Sequence, residues 1–192
     1  MDIPLFLLNT VLHSGGRLPL RVFETRYMDM VKDCLRSNTP FGICLLAEGE
    51  EVGEGALPNN VGTLATIADW DMPQLGILNI VVHGGQRFRI LENRVESNGL
   101  HRAEVTLLED PPVKPIPGDY ARLVPMLRAL LEALDDEKPP EPYRFFDACW
   151  VADRWAEMLP LPLATRQQIL ELDDGVARLE AIYHFLETES GS

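Results

Sequence analysis

The sequence predicts an α+β protein in which a sheet-rich segment precedes a helical one. Up to about residue 108, apolar residues form short runs or alternate with polar residues, which is typical of β-strands. From residue 120 onward they recur every three or four positions, which is typical of amphipathic helices. Between these two patterns, the stretch 109–118 contains four prolines and indicates a stiff connector.

The connector sets the predicted domain boundaries, with a sheet-rich domain at 1–110 and a helical bundle at 119–189. A chain of 192 residues with 46% hydrophobic content can bury a core without help from disulfides or metals. The three cysteines, Cys34, Cys44 and Cys149, are widely spaced and form no CxxC pair. We therefore expect buried free thiols and a reducing, cytoplasmic compartment.

The charge balance disfavours two classes of partner. Asp and Glu number 30 against 17 Lys and Arg, giving a net charge of −13. Binding to nucleic acids or to anionic membranes depends on an excess of basic residues, so we predict neither partner. No apolar run approaches the roughly 20 residues of a membrane helix, and the acidic second residue is unlike the start of a signal peptide.

Seven short segments in the first half have strand-like composition. Asn98-Gly99 is the strongest signal for a two-residue hairpin turn. We also expect a turn at 70–73 and a break at the Gly84-Gly85 pair. The acidic, glycine-rich segment 48–60 predicts a mobile rim or lid. The predicted strands are 3–8, 18–22, 41–46, 61–69, 77–83, 86–91 and 101–107.

One amphipathic helix is predicted after a turn at Phe23 and Glu24, and it is expected to cover the sheet. Pro40 disfavours helical geometry in the preceding residue and ends the helix. The predicted apolar face contains Tyr27, Met30, Val31, Cys34 and Leu35.

Helical periodicity returns after the connector. Thr165 and Gln168 have the spacing of a capping box. Asp173 or Asp174 is expected to cap the last helix. The predicted helices are 120–134, 148–159, 165–172 and one that begins after residue 174.

Catalytic signatures are absent from the sequence. It contains no GxxxxGK[ST] P-loop, no HExxH motif and no GxSxG motif, and its four histidines lack metal-ligand spacing. Acid–base catalysis by two carboxyl groups requires that burial or pairing make their pKa values differ. The paired acids of this chain lie in loops or helix caps, where solvent provides neither. We therefore expect no catalytic residue, no metal, no cofactor and no enzymatic activity.

Two polar sets remain as candidates. Arg21, Glu24 and Arg26 flank the strand-to-helix junction, where an arginine can clamp a carboxylate; the favoured alternative is a structural pair between Glu24 and an arginine at the helix start. Arg87 and Arg89 alternate with Phe88 on a strand whose arginine-bearing face is predicted to be wet. The favoured interpretation is that they pair across the sheet with Glu104 or other acids.

Trp70, Trp150 and Trp155 are candidate ligand platforms. Trp155 lies on a helical apolar stripe and is assigned to packing. Trp70, beside a proline-containing turn, remains open.

The segment 3–35 resembles the start of the Lon amino-terminal, substrate-binding domain. The family opens with Ile-Pro-Leu-Phe-Pro-Leu; here Leu7 stands in place of the second proline, and Ser14 replaces the proline of a later turn. The segment 61–65 resembles the Gly-Thr-x-Ala strand, 84–90 resembles Gly-x-x-Arg-Phe-x-Ile, and 159–179 resembles the helical tail, with Ala164 in place of a capping serine. The matching cluster is Leu20, Arg21, Phe23, Glu24, Arg26 and Tyr27.

The resemblance implies a PUA-like β pseudo-barrel with one covering helix, followed by a small helical bundle. Full Lon proteases continue with an ATPase and a Ser-Lys protease, and neither is expected in this stand-alone domain. The leading hypothesis is a non-enzymatic module that binds unfolded or apolar polypeptide and passes it to a protease or chaperone. The candidate binding residues are Arg21, Phe23, Glu24, Arg26, Tyr27, Trp70, Arg87, Phe88 and Arg89.

Two other functions stay open. A small-molecule or nucleotide-derivative binder would need a concave pocket that gathers Arg21, Glu24, Arg87 and Arg89. A scaffold that forms homodimers would need only an apolar surface. Function depends on sites and not on the fold, so the fold does not choose among the three.

Overall fold

The computed structural model describes residues 1–48 and 57–190. These residues divide into two compact units, with the boundary between Glu109 and Asp110. The α+β class is confirmed, with a mainly antiparallel sheet in the first unit and helices in both. The first unit consists of β1 Asp2–Leu8, β2 Arg17–Val22, α1 Thr25–Ser37, β3 Phe41–Glu48, β4 Leu57–Pro58, β5 Val61–Gln74, β6 Ile77–Val95 and β7 His101–Leu107.

Five strands close into a barrel. Their order is β1-β7-β6-β5-β3, and β3 pairs back onto β1 in parallel, while the other pairs are antiparallel. The short β4 pairs with β3, and β2 pairs with β6 outside the ring. Leu5, Ile43, Phe88, Ala103 and Val105 are buried in the strands of this ring. The sheet therefore matches the predicted pseudo-barrel.

Helix α1 covers the sheet with the predicted stripe. Tyr27, Met30, Val31 and Cys34 are buried and pack with core residues of the strands, whereas Leu35 at the margin of the stripe is exposed. Burial of one apolar face supplies most of the stability of a helix of this length.

Two predicted strand breaks are wrong. β5 continues through the expected turn at 70–73, and the chain reverses instead at Leu75 and Gly76, where Gly76 has a φ of 86°. β6 continues through Gly84 and Gly85 because pairing on both sides overrides the weak local propensity of glycine. A Cβ on Gly84 would lie 2.1 Å from the His13 carbonyl oxygen, so this glycine permits a close backbone approach.

The lid expected at 48–60 is mostly outside the described residues. Glu48 ends β3 and Leu57–Pro58 forms β4, so both ends of that segment are strand. Residues 49–56 are not described, and the prediction for them stays untested.

The second unit contains α2 Leu123–Glu132, α3 Ala148–Met158, α4 Leu163–Glu171 and α5 Gly175–Ser190. The capping box predicted at Thr165 and Gln168 is wrong, because α4 begins directly after Pro162 and has no side-chain cap. Asp174 caps α5 as predicted, since its Oδ1 accepts from the amides of Val176 and Ala177. The core of this unit includes Leu123, Leu127, Val151, Trp155, Leu179 and Ile182.

A buried ion pair joins two helices of this unit. Arg178 of α5 and Asp153 of α3 are 1% and 4% exposed, with 2.5 Å between Nη1 and Oδ1. All three cysteines are buried and free, as predicted. Among the described helices, none has the length and apolar character needed to cross a membrane.

Candidate functional site

Glu24 and Arg26, at the start of α1, form structural contacts with each other and with the β6–β7 hairpin. Arg26 Nε donates to Glu24 Oε2 at 2.9 Å, and its Nη1 donates to the Gly99 carbonyl at 2.8 Å. The Arg26 guanidinium also lies 4.6 Å from the ring centre of Tyr27, which is buried and stacks on Phe6 at 3.9 Å. These contacts hold the start of the helix against the β6–β7 hairpin.

The predicted wet face at Arg87 is wrong. Arg87 is 1% exposed, and its Nη2 donates to the Glu109 carbonyl at 3.3 Å. Phe88 is fully buried in the barrel, and only Arg89 is exposed. Both faces of β6 are covered at this point. Phe88 is buried on one face, and on the other Arg87 lies opposite Thr63, which is also fully buried.

Glu104, the acid named as a cross-strand partner for these arginines, is not opposite either of them. It pairs in register with Glu92 of β6 and with Asp2 of β1, whereas Arg89 lies opposite Val61 and Thr106. Pairing of the arginines with other acids stays a prediction.

The four residues required for a small-molecule pocket are not brought together. Arg21 is exposed on β2 opposite Asn79, near the first end of β6. Arg87 lies on β6 eight residues after Asn79, which corresponds to about 25 Å along that strand at the usual rise per residue. The arginines therefore occupy separate regions of the first unit, and Glu24 is engaged by Arg26.

An exposed apolar surface at the end of the longest hairpin was not predicted from the sequence. β5 and β6 extend beyond the barrel, and every residue from 68 to 76 is exposed. Trp70, Met72 and Leu75 have exposed fractions of 55%, 40% and 97%. Phe23, at 65%, directly follows the end of β2, whose last residue pairs with Leu78 near the same turn. We call Phe23, Trp70, Met72 and Leu75 the hairpin tip.

A weak signal for this surface is present in the sequence. Trp70-Asp71-Met72 alternates apolar and acidic residues, as an exposed strand does, but Pro73 favoured a turn instead. Of the predicted site residues, Phe23 and Trp70 belong to the tip. Arg21 lines a shallow depression of about 300 Å³ with Trp70.

A second concavity of about 440 Å³ lies between α1, the start of β1 and the β6–β7 turn. Met30, Cys34 and Leu100 provide apolar lining. Asp2, at the edge of this concavity, accepts hydrogen bonds from Arg94 and Arg102, which lower its pKa to about 2. The charge of this carboxylate is therefore neutralised by the two arginines. Burial raises the pKa of the Cys34 thiol, which leaves it unreactive.

No group of three or more metal-ligating side chains occurs in the part of the chain that the structure describes.

Comparisons with known proteins converge on one family. Residues 2–188 match the family model of the ATP-dependent protease La (LON) substrate-binding domain. The Lon protease of Anaeromyxobacter dehalogenans (strain 2CP-C) is 28% identical over 96% of this chain, and Lon protease 2 of Myxococcus xanthus is 27% identical over 96%. The match covers 23% and 24% of those two proteins, so this chain spans about a quarter of their length.

Solved structures agree with this assignment. A Lon N-terminal domain protein from Xanthomonas campestris superposes with a TM-score of 0.78 at 34% identity, covering 96% of this chain and 98% of that one. The N-terminal domain of the Mycobacterium avium complex Lon protease has the same fold, with a TM-score of 0.69 at 20% identity and coverage of 95% and 96%. This chain therefore belongs to the LON substrate-binding domain family.

Proposed function

We propose that this protein binds unfolded polypeptide through exposed apolar segments of the client, and that the hairpin tip is the contact surface. The observation that supports this proposal is the concentration of Phe23, Trp70, Met72 and Leu75 at one end of the sheet, all of them exposed. Exposed apolar groups of this kind mark interaction surfaces, and aromatic side chains and methionine are enriched where proteins bind one another.

The family supplies the class of ligand. The family is the LON substrate-binding domain, and the relatives from Anaeromyxobacter and Myxococcus are Lon proteases. We propose that this chain performs recognition without hydrolysing peptide bonds or ATP, and that a protease or chaperone receives the bound client. The three buried free thiols support a cytoplasmic location, where thiols stay reduced.

The test is a titration of a fluorescently labelled, permanently unfolded protein, followed by anisotropy at low and high salt. Saturable binding that persists at high salt is expected, because contacts between apolar groups are not screened by ions. Trp70→Ala combined with Leu75→Ser is expected to weaken binding by about tenfold or more, since each side chain contributes through burial of apolar area.

Leu91→Ser combined with Val95→Ser is the matched control. These two side chains are 62% and 59% exposed and lie on the other half of β6, away from the tip. The control should bind like the wild type. If the unfolded protein does not bind, or if the control weakens binding as much as the tip variant, the proposed function is wrong.

A further inference from the structure

The outer edge of β5 is open beyond the barrel. β3 pairs with β5 only from Thr63 to Ala65, and in the described chain no other strand pairs with that edge between Thr66 and Gln74. An unpaired edge exposes main-chain donors and acceptors that an extended chain can bind.

The register shows which main-chain groups face this edge. Pro19 of β2 pairs with Val81 of β6, and because proline has no N–H, this cannot be a hydrogen-bonded pair. The main-chain groups of Val81 therefore point toward β5, where they bond Asp69 in the opposite position. Alternation then directs the N–H and C=O of Trp70 outward, to the open edge.

A hydrogen bond supports this orientation. The Trp70 N–H donates to Oδ1 of the preceding residue, Asp69, at 2.9 Å, and both residues are exposed. A solvent-exposed carboxylate thus occupies the position that the carbonyl of an added strand would take. Such an exposed bond is worth little, so an incoming strand can replace it.

The two faces of the edge have different chemistry. Asp69 and Asp71 share one face of β5, and Trp70 and Met72 share the other, because side chains alternate along a strand. An added strand places its residues directly opposite these side chains. Basic residues on one of its faces and apolar residues on the other complement both.

We propose that the open edge of β5 binds extended polypeptide by antiparallel strand addition, and that it prefers segments in which apolar and basic residues alternate. This inference rests on the proposed function and specifies how the client is held. Two copies of this chain pairing through the same edge would bring Asp69 and Asp71 of each copy together, so like charges oppose that alternative. The register of β5 shifts between Asp71 and Gln74, so the regular part of the edge ends there.

The test uses ten-residue labelled peptides of alternating valine and lysine, with anisotropy as the readout. In antiparallel addition, the apolar residue opposite Trp70 exchanges main-chain hydrogen bonds with it, whereas the lysine N–H groups face away. N-methylation of the valine nitrogens should therefore weaken binding by tenfold or more, and N-methylation of the lysine nitrogens should not. A peptide with five valines followed by five lysines should bind about tenfold more weakly.

Two variants test the charged face. Asp69→Asn with Asp71→Asn should weaken binding of the alternating peptide by about threefold to tenfold, because exposed ion pairs are individually small. Asp29→Asn with Asp33→Asn removes the same charge from the exposed face of α1 and should have no effect. Acrylamide quenching provides a second readout, since Trp70 is exposed while Trp150 and Trp155 are buried.

The outcomes separate this inference from the proposed function. If the unfolded protein binds but both methylated peptides bind equally well, strand addition is wrong and client binding stands. If neither the unfolded protein nor any peptide binds, both proposals fail. If Trp70 becomes shielded without peptide as protein concentration rises, the edge is occupied by a second copy and the inference is overturned.

Discussion

Removal of the Asp153 carboxylate should strongly destabilise the helical unit. Arg178 is almost fully buried, and besides its bond to Asp153 it donates to the Leu170 carbonyl at 3.1 Å and to the Leu172 carbonyl at 2.7 and 2.9 Å. Burial opposes the charge of Arg178, but the nearby carboxylate of Asp153 outweighs it and raises the pKa of the guanidinium. Asp153→Ala therefore leaves a buried cation without the carboxylate that binds it directly.

The expected cost follows from the behaviour of broken buried ion pairs. Removing one partner of such a pair lowers the free energy of unfolding by about 3–5 kcal/mol. Arg178→Met leaves the Asp153 carboxylate buried without its cation and should destabilise the unit by a similar amount. The double variant Asp153→Ala/Arg178→Met should be less destabilised than the sum of the single variants by about 2 kcal/mol or more, because each residue matters mainly while the other is present.

Urea unfolding of the full chain measures these values. Trp150 and Trp155 both lie in α3 beside Asp153, so tryptophan fluorescence reports mainly on the helical unit, and circular dichroism follows both units. A transition midpoint that falls without a change in slope identifies a loss of stability. If Asp153→Ala costs less than about 1 kcal/mol, or if the two single variants are additive, the ion pair does not stabilise the helical unit.

Two further predictions concern the barrel. Gly84→Ala should lower the free energy of unfolding, measured by urea titration, by about 2–3 kcal/mol, because its Cβ would overlap a backbone carbonyl. Gly85→Ala is the control and should stay within about 1 kcal/mol of the wild type, because the nearest atom to its Cβ would be 3.4 Å away. Equal costs for the two variants would contradict the close approach at Gly84. Arg94 and Arg102 lower the pKa of Asp2 from 3.8 to about 2, so the stability that this carboxylate adds is present above pH 4 and is lost as the pH falls toward 2. The difference in urea midpoint between wild type and Asp2→Asn should therefore be largest at pH 6 and shrink by pH 2.5, and a difference independent of pH would exclude the ion network as its source.

Local signals in the sequence predicted several elements correctly. The stripe of α1 follows from the spacing of Tyr27, Met30 and Val31, which places them on one face whatever the rest of the chain does. Asn98-Gly99 predicted the β6–β7 hairpin, and Gly99 has a φ of 82°, which residues with a Cβ resist. The predicted two-residue turn is wrong, because β6 ends at Val95, β7 begins at His101, and the Glu96 N–H donates to the Leu100 carbonyl. These features depend on residues a few positions apart.

The candidate site was only partly visible in the sequence. Trp70 and Phe23 were named, but Met72 and Leu75 were not, because the turn expected at 70–73 hid the extension of β5. The structural contact of Arg26 was not predictable either, because its guanidinium donates to the carbonyl of Gly99, which is 73 residues away in sequence. No spacing rule connects such a pair.

Periodicity and turn chemistry act within a few residues, so the α+β class, the order of sheet and helices, and the apolar helix faces follow from the sequence alone. The folded chain was needed to show that β6 runs through two glycines, that Arg87 is buried, and that the outer edge of β5 remains open. Those features depend on which distant strands pair and on what covers each face. Such long-range pairing is set by the packing of the whole unit and not by any single stretch of chain.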